Sequence, residues 1–223
     1  MGTMYKNGLG TDIDMDKAIN YFMRSAELNN TNAKRTLALE YISGKHLELD
    51  IEKGLEMLTE CADRGDTLSC YKLGKIYFKG EIVYKDLNMA EKNFLKASQK
   101  ENRYALYSLG TLYLEKEKYS LDKAVEYFEK VLKYEEIKPY AEYSLAKIML
   151  DNNPYHDSEK AVSLLESSAE DNDWASFLLG RLYLYGTDDI QKDKEKALEW
   201  LELSAEQGNE YAQNMIDNIQ NFE

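Results

Sequence analysis

Small and apolar residues return along this chain at one long interval. Within stretches of helical periodicity, small residues stand at Ala18, Gly54, Ala90, Ala124, Ala161 and Ala197, separated by 36, 36, 34, 37 and 36 residues. Four and seven residues further on come Phe22 and Ser25, Leu58 and Cys61, Phe94 and Ala97, Phe128 and Val131, Leu165 and Ser168, and Leu201 and Ser204. That spacing puts each trio on one face of a helix, and the face must be buried. Four residues before each small residue lies an oxygen-bearing side chain: Asp14, Asp50, Asp86, Ser120, Asp157 or Asp193. Such a residue accepts from the unpaired amides at a helix start, so these positions predict where a helix begins.

A second helix precedes it in every unit. Its marks are Ala33/Leu37/Ala38/Tyr41, Ser69/Leu73/Gly74/Tyr77, Ala105/Leu109/Gly110/Tyr113, Ala141/Leu145/Ala146/Met149 and Ala175/Leu179/Gly180/Tyr183. Seven residues past the leucine stand Gly44, Gly80, Asn152 and Gly186, with Gly8 in register, so the helix is expected to end on a residue that tolerates a left-handed backbone. Lys116 holds that place in the fourth unit. An antiparallel hairpin of this kind cannot bury its apolar face alone and must stack on its neighbours. The expectation is an all-α solenoid of about six hairpins in a single repeat domain, 1–223. Its units are approximately 1–30 (incomplete), 31–66, 67–102, 103–136, 137–172, 173–208 and a terminal helix, 209–223. Tyr5 and Gly8 match Tyr41 and Gly44, so Met1 falls where Leu37 sits, in mid-helix. An array beginning inside a repeat reads either as a segment of a longer protein or as a short capping arrangement.

Composition supports the helical reading. Two prolines and twelve glycines in 223 residues are too few turn formers for a sandwich or barrel. Twenty-eight Lys+Arg against forty-one Asp+Glu give a formal net charge of −13, which repels a polyanion and argues against direct nucleic-acid binding. No stretch reaches the roughly eighteen apolar residues of a membrane span, and the first residues carry no secretion or acylation signal. A cytoplasmic protein is expected.

From Ala175 to Gly208 the order is Ala-x3-Leu-Gly-x2-Tyr-x2-Gly, then Asp193-x2-Lys196-Ala197, Trp200 and Ser204-Ala205. These residues, recurring in phase through the chain, resemble the Sel1-like repeats, relatives of the tetratricopeptide repeats. The fourth unit, with Ser120 at the cap and no turn glycine, is more similar to an ordinary tetratricopeptide repeat. The resemblance implies a right-handed α/α superhelix and a role as an adaptor or signalling scaffold. The run from Gln191 to Asn218 also resembles arrays that follow relaxase domains in bacterial mobile elements. It implies, as an alternative, an accessory interaction region of a larger multidomain protein.

Little in the sequence points to catalysis. His46 and His156 fall at turns without a ligand cluster. Cys61 and Cys70 stand where the repeat takes small residues and read as buried thiols, with a disulfide as the other possibility. Cys70 matches the second cysteine of a disulfide-stapled subgroup of the Sel1-like family, but Cys61 is displaced by one position and the other units lack a pair. Gly8-Leu9-Gly10 lacks the third glycine and the preceding strand of a phosphate loop, and is accounted for by the repeat turn. Asn29-Asn30-Thr31 matches a glycosylation pattern at a frequency near chance. No nucleophile, base, metal site or cofactor motif emerges, and a non-enzymatic protein is expected.

One feature exceeds what a core needs. With each first-helix leucine as origin, residues at −5, −2, +2 and +5 fall at about 140° to 220°, opposite the packed arc. In a tetratricopeptide-like superhelix that face lines the concave groove. It carries Asn32, Arg35, Leu39 and Ile42; Leu68, Tyr71, Lys75 and Phe78; Tyr104, Tyr107, Thr111 and Leu114; Tyr140, Tyr143, Lys147 and Leu150; Trp174, Phe177, Arg181 and Leu184; then Tyr211. Aromatic rings with few rotamers to freeze, beside cations that anchor carboxylates, suit a partner peptide or helix. The candidate partner-binding residues are therefore Tyr71, Lys75, Tyr104, Tyr107, Tyr140, Tyr143, Lys147, Trp174, Phe177 and Arg181. Each set has a competing use: the −2 aromatics in packing between adjacent hairpins, the −5 residues in covering the previous unit's second helix, and the +2 cations as a solvated face.

Overall fold

The computed structural model describes residues 1–221, without the side chains of Lys116, Gln220 and Asn221. Among the described residues it is all-helical, with thirteen α-helices, one 3-10 turn and no strand. Two compact units are present, Met1–Ser120 and a second beginning at Leu121. The first holds α1 (Gly2–Asn7), α2 (Met15–Glu27), α3 (Thr31–Ser43), α4 (Ile51–Asp63), α5 (Thr67–Lys79), α6 (Leu87–Ser98), α7 (Arg103–Leu112) and the 3-10 turn Lys116–Lys118. The second holds α8 (Leu121–Val131), α9 (Lys138–Leu150), α10 (Ser158–Ser168), α11 (Asp173–Tyr185), α12 (Lys194–Glu206) and α13 (Glu210–Asn221). Among the described residues no helix is long and apolar enough to cross a membrane.

The aspartates open the second helix of each hairpin as the sequence indicates. Asp14 accepts from the Lys17 amide, Asp50 from Lys53, Asp86 from Asn88 and Met89, Asp157 from Lys160 and Asp193 from Lys196, at 2.9 to 3.0 Å. Each cap stabilises its helix by about 1 kcal/mol. A backbone bond closes every turn. The amides of Asp14, Asp50, Asp86, Ser120, Asp157 and Asp193 donate to the carbonyls of Tyr5, Tyr41, Tyr77, Tyr113, Met149 and Tyr183 at 2.8 to 3.0 Å. Turn length varies around this fixed bond, so the hairpin, not the glycine, is the invariant. In the fourth turn the 3-10 segment replaces the glycine.

Gly44 and Gly80 take φ of +62° and +70°, the left-handed conformation that ends α3 and α5. Asn152 does not, contrary to the sequence expectation. There α9 stops at an extended Asp151, and the Asn153 carboxamide caps it by donating to the Ile148 carbonyl at 2.6 Å and accepting from the Tyr155 amide at 2.7 Å. A side chain supplies what a left-handed residue supplies elsewhere.

The motif lysine acquires a physical role. Lys17, Lys53 and Lys196 set their ammonium groups 5.5, 4.1 and 5.2 Å from the ring centres of Tyr5, Tyr41 and Tyr183, and Lys53 also donates to the Tyr41 hydroxyl at 2.8 Å. The end of one helix is thereby tied to the start of the next through a cation on an aromatic face. Inside the hairpins the small residues let the helices close. Ala18, Ala90, Ala124, Ala161 and Ala197 are wholly buried. A Cβ on Gly74 would stand 2.5 Å from the Phe94 ring, and one on Gly180 would stand 2.6 Å from Leu201. Phe94, Leu58, Leu109 and Leu112 in the first unit, and Phe128, Leu165, Leu179 and Leu201 in the second, are the largest fully buried side chains among the described residues.

Links between hairpins carry a second set of caps that the sequence showed only as polar segments. Asn30, Asp66, Asn102, Asn172 and Asn209 accept from amides of α3, α5, α7, α11 and α13. Before four of them stands a residue of positive φ: Asn29, Gly65, Glu101 and Gly208. The glycosylation-like triplet is thus a helix junction, with Asn30 committed to its cap. Cys61 and Cys70 are free and buried, their thiols directed at the Thr31 and Ala62 carbonyls.

Candidate partner-binding faces

Helices α3, α5 and α7 present the first unit's candidate residues. The −5 position opens to solvent, with Leu68 and Tyr104 46% and 39% exposed. The −2 position is a wedge. Tyr71 is half-buried, its ring 6.1 Å from that of core Phe94 and 6.1 Å from that of Tyr104. Burial pushes the Tyr71 phenol up, a hydrogen bond with Ser108 offsetting part of this. Tyr107 is half-buried on α7. Lys75, at +2, lies over its own helix's Tyr71 at 5.9 Å from the ring centre.

The α3 face departs from this scheme. Arg35, where the next units have tyrosine, reaches Asp66 through two bonds of 2.8 and 2.7 Å and donates to Asn32 at 2.8 Å. Burial raises the Asp66 carboxyl, but the Ser69 hydroxyl and amide and the Arg35 guanidinium outweigh it and hold it below the ordinary value. Arg35 therefore braces the cap of α5.

In the second unit, α9, α11 and α13 repeat the pattern. Tyr140, Trp174 and Tyr211 at −5 are 49%, 43% and 64% exposed. Trp174, Phe177 and Tyr211 form one cluster, with ring centres 5.9, 5.6 and 6.4 Å apart. Tyr143 instead packs on the core around Ala146, Leu165 and Leu179. Lys147 and Arg181 are exposed, 5.5 and 5.9 Å from the rings of Tyr143 and Phe177. The structure thus gathers Tyr71, Tyr104 and Lys75 in one unit and Trp174, Phe177 and Arg181 in the other. It assigns Tyr143, and much of Tyr71, to packing.

A polar depression of about 1010 Å3 lies elsewhere in the second unit, lined in part by His156, Ser158, Tyr183, Asp189 and Lys196. His156 Nε2 is 3.0 Å from Asp189 Oδ2, Ser158 donates to that same oxygen at 2.9 Å, and the Asp151 carbonyl faces His156 Nδ1 at 3.2 Å. The hydrogen bond to Asp189 raises the imidazole above its ordinary value, with burial opposing, and lowers Asp189. Histidine and serine both address the carboxylate and not each other, so no base-activated hydroxyl results. The group is a pin between the start of α10 and the turn at 187–190.

The Sel1 repeat pattern matches residues 1–30, 67–102, 103–130, 139–173 and 175–209. The hairpin 31–66, which holds Arg35 and Gly54, is outside these intervals although it has the same form. No curated protein matches the chain. Among solved structures, a protective antigen of uropathogenic Escherichia coli displaying an SLR fold superposes with TM-score 0.79 at 23% identity, over 98% of this chain. This chain spans 47% of that antigen. A Sel1 repeat protein from Oxalobacter formigenes gives 0.75 at 25% identity, covering 92% of this chain and 84% of the other. A further one from Klebsiella pneumoniae gives 0.56 at 18%, covering 91% and 99%. With the repeat pattern matched over more than half of its residues, the chain belongs to the Sel1 repeat family.

Proposed function

We propose that this protein is a non-enzymatic interaction scaffold that holds a segment of a partner protein, extended or helical, on the exposed faces of its first helices. Sel1 repeats generally mediate protein–protein interaction. The observation that carries the finer reading is the −5 series: Tyr104, Tyr140, Trp174 and Tyr211 keep 39% to 64% of their surface in solvent. Lys147 and Arg181 stand on the same helices as Tyr140 and Trp174, and Lys75 stands on α5. Aromatic and arginine side chains of this kind are over-represented where protein surfaces bind one another. Because the rings are exposed, replacing them leaves the core intact, and loss of binding is separable from loss of fold.

The test is capture of partners from native extract by chemical cross-linking, comparing the intact chain with a Tyr104→Ala, Tyr140→Ala, Trp174→Ala variant of unchanged helical circular dichroism and melting. Loss of a stoichiometric partner supports the reading. Retention of every partner by the folded variant refutes it and moves the search to the opposite face.

A further inference from the structure

In the first unit a small apolar notch lies between α3 and α5. Leu39, Ile42, Ile76 and Ile82 line it, and its volume is about 230 Å3. Sites for whole small molecules run from about 300 to 1,000 Å3, so the notch has the capacity of a single side chain. Lys72, Lys75 and Lys79 of α5 border it, at spacings that bring them onto one side of the helix. Glu81 also borders the notch and meets Lys79 at 3.5 Å, both side chains more than half exposed. Lys72 and Lys75 form no ion pair with a described carboxylate; Lys75 lies over the Tyr71 ring. Nearby cations are engaged: Lys34 with Glu60, Arg35 with Asp66 and Lys85 with Glu115, each at 2.7 Å.

We propose that the notch receives an apolar side chain of an acidic segment from a partner protein, whose neighbouring carboxylate rests between the ammonium groups of Lys72 and Lys75. The inference rests on the reading of the first-helix face as a partner site and adds the partner's chemistry. Two unpaired ammonium groups beside an apolar floor provide a charge anchor and a side-chain socket, the two elements by which a short segment is fixed in register. The surrounding charge sharpens the choice. A formal net charge of −13 repels a uniformly negative partner such as a nucleic acid or an anionic lipid surface, and opposes a second copy of this chain. A segment whose acidic residues are confined to the flanks of one apolar residue gains the local attraction without the wider repulsion.

The intact chain is titrated with short fluorescein-labelled peptides that carry a central leucine or phenylalanine flanked by glutamates in a Gly/Ser background. Matched peptides have glutamine, lysine or no apolar residue instead, and anisotropy is read at low and physiological salt. Binding is expected only with glutamate and the apolar residue together, weakening with salt. It is expected to fall about tenfold or more in Lys72→Glu/Lys75→Glu and in Ile82→Asp, both solvent-accessible changes whose folding is checked by circular dichroism. Equal binding of lysine-flanked peptides, absence of binding by every acidic peptide, or full binding by the folded Lys72→Glu/Lys75→Glu chain overturns the proposal. Sedimentation of the same variant covers self-association: an oligomer that it dissociates makes a second copy the occupant and also overturns the proposal. If acidic peptides fail while the Tyr104/Tyr140/Trp174 variant still loses its partner, the face reading stands and only the acidic assignment falls. If the peptides bind through Lys72 and Lys75 while that aromatic variant keeps every partner, the converse holds.

Discussion

Gly54 is the one glycine among the six small positions that open the second helices, and Gly54→Ala separates two physical effects of opposite sign. Five of the six hairpins have alanine there, and a glycine inside a helix costs about 1 kcal/mol relative to alanine. On that ground alone the change is stabilising. The structure predicts the reverse, because a Cβ at residue 54 would stand 2.5 Å from Ile42 Cγ1 and 2.7 Å from the Ala38 carbonyl oxygen. The carbonyl is backbone and cannot turn away as a side chain can, so relief requires α3 and α4 to move apart. Overpacking of this kind costs about 1 to 3 kcal/mol. After the propensity gain, a net loss of up to about 2 kcal/mol remains, an apparent melting shift of about 2 to 4 °C downward per kcal/mol for a chain of this size. Since repeats are coupled chiefly to their neighbours, hydrogen exchange should quicken in α3 and α4 while α10 to α12 keep their protection. Urea unfolding followed by circular dichroism supplies the global value and amide exchange the local one. A rise in the urea midpoint, or an exchange change spread evenly over both units, would show that the close approach of α3 and α4 does not govern this site.

Three further outcomes are expected. Arg35→Leu removes two charge-assisted bonds to the half-buried Asp66 and should cost about 1.5 to 3 kcal/mol in urea unfolding. Because Asp66 is held below its unfolded value, its contribution is present above that value and lost as pH falls through the folded one, so the variant should also show a shallower acid limb. In an NMR titration, His156 should change charge at higher pH than an exposed imidazole, and Asp189→Asn should lower its midpoint. The raised value makes the pin stabilising below the unfolded histidine value and lost as pH rises through the folded one; an unmoved midpoint contradicts the bond. Burial raises both cysteine thiols, so a thiol reagent should modify Cys61 and Cys70 slowly in the native chain and promptly in denaturant. Rapid native modification would place them at the surface.

The hairpin architecture was legible because it is written in spacings. Ala18, Gly54 and their equivalents mark where two helices must touch, and each aspartate four residues earlier marks a helix start; both are local requirements. The caps at Asn30, Asp66, Asn102, Asn172 and Asn209 were less visible, since a polar residue in a polar link has no contrast against its surroundings. Asn152 misled for a related reason: asparagine tolerates a left-handed backbone, but Asn153 next to it offers a side-chain cap that needs no such strain. The candidate faces were drawn by angle, and angle alone does not separate −5 from −2. That distinction comes from neighbouring hairpins, which cover Tyr143 and wedge Tyr71 while leaving Tyr140 and Trp174 open.

The same helix face therefore divides into positions bound by packing and positions released from it. At −2 the side chain leans on the adjacent helix, so changes there act through stability whatever they do to binding. At −5 and +2 the side chains reach solvent: Trp174 and Tyr140 keep 43% and 49% of their surface exposed, and Lys147 and Arg181 are exposed. The α3 hairpin illustrates the exchange. Arg35, by turning to Asp66 and Asn32, withdraws a cation from the surface and braces the neighbouring cap, while Leu39 and Ile42 are left as an apolar floor. The cations that border that floor come from α5: Lys72 and Lys75, neither in an ion pair with a described carboxylate, and Lys79, which meets Glu81. Charge from one helix and apolar surface from the previous one then belong to a single socket that neither hairpin provides alone. Stacking is required for the core, and by the same step it assembles the surface proposed for recognition.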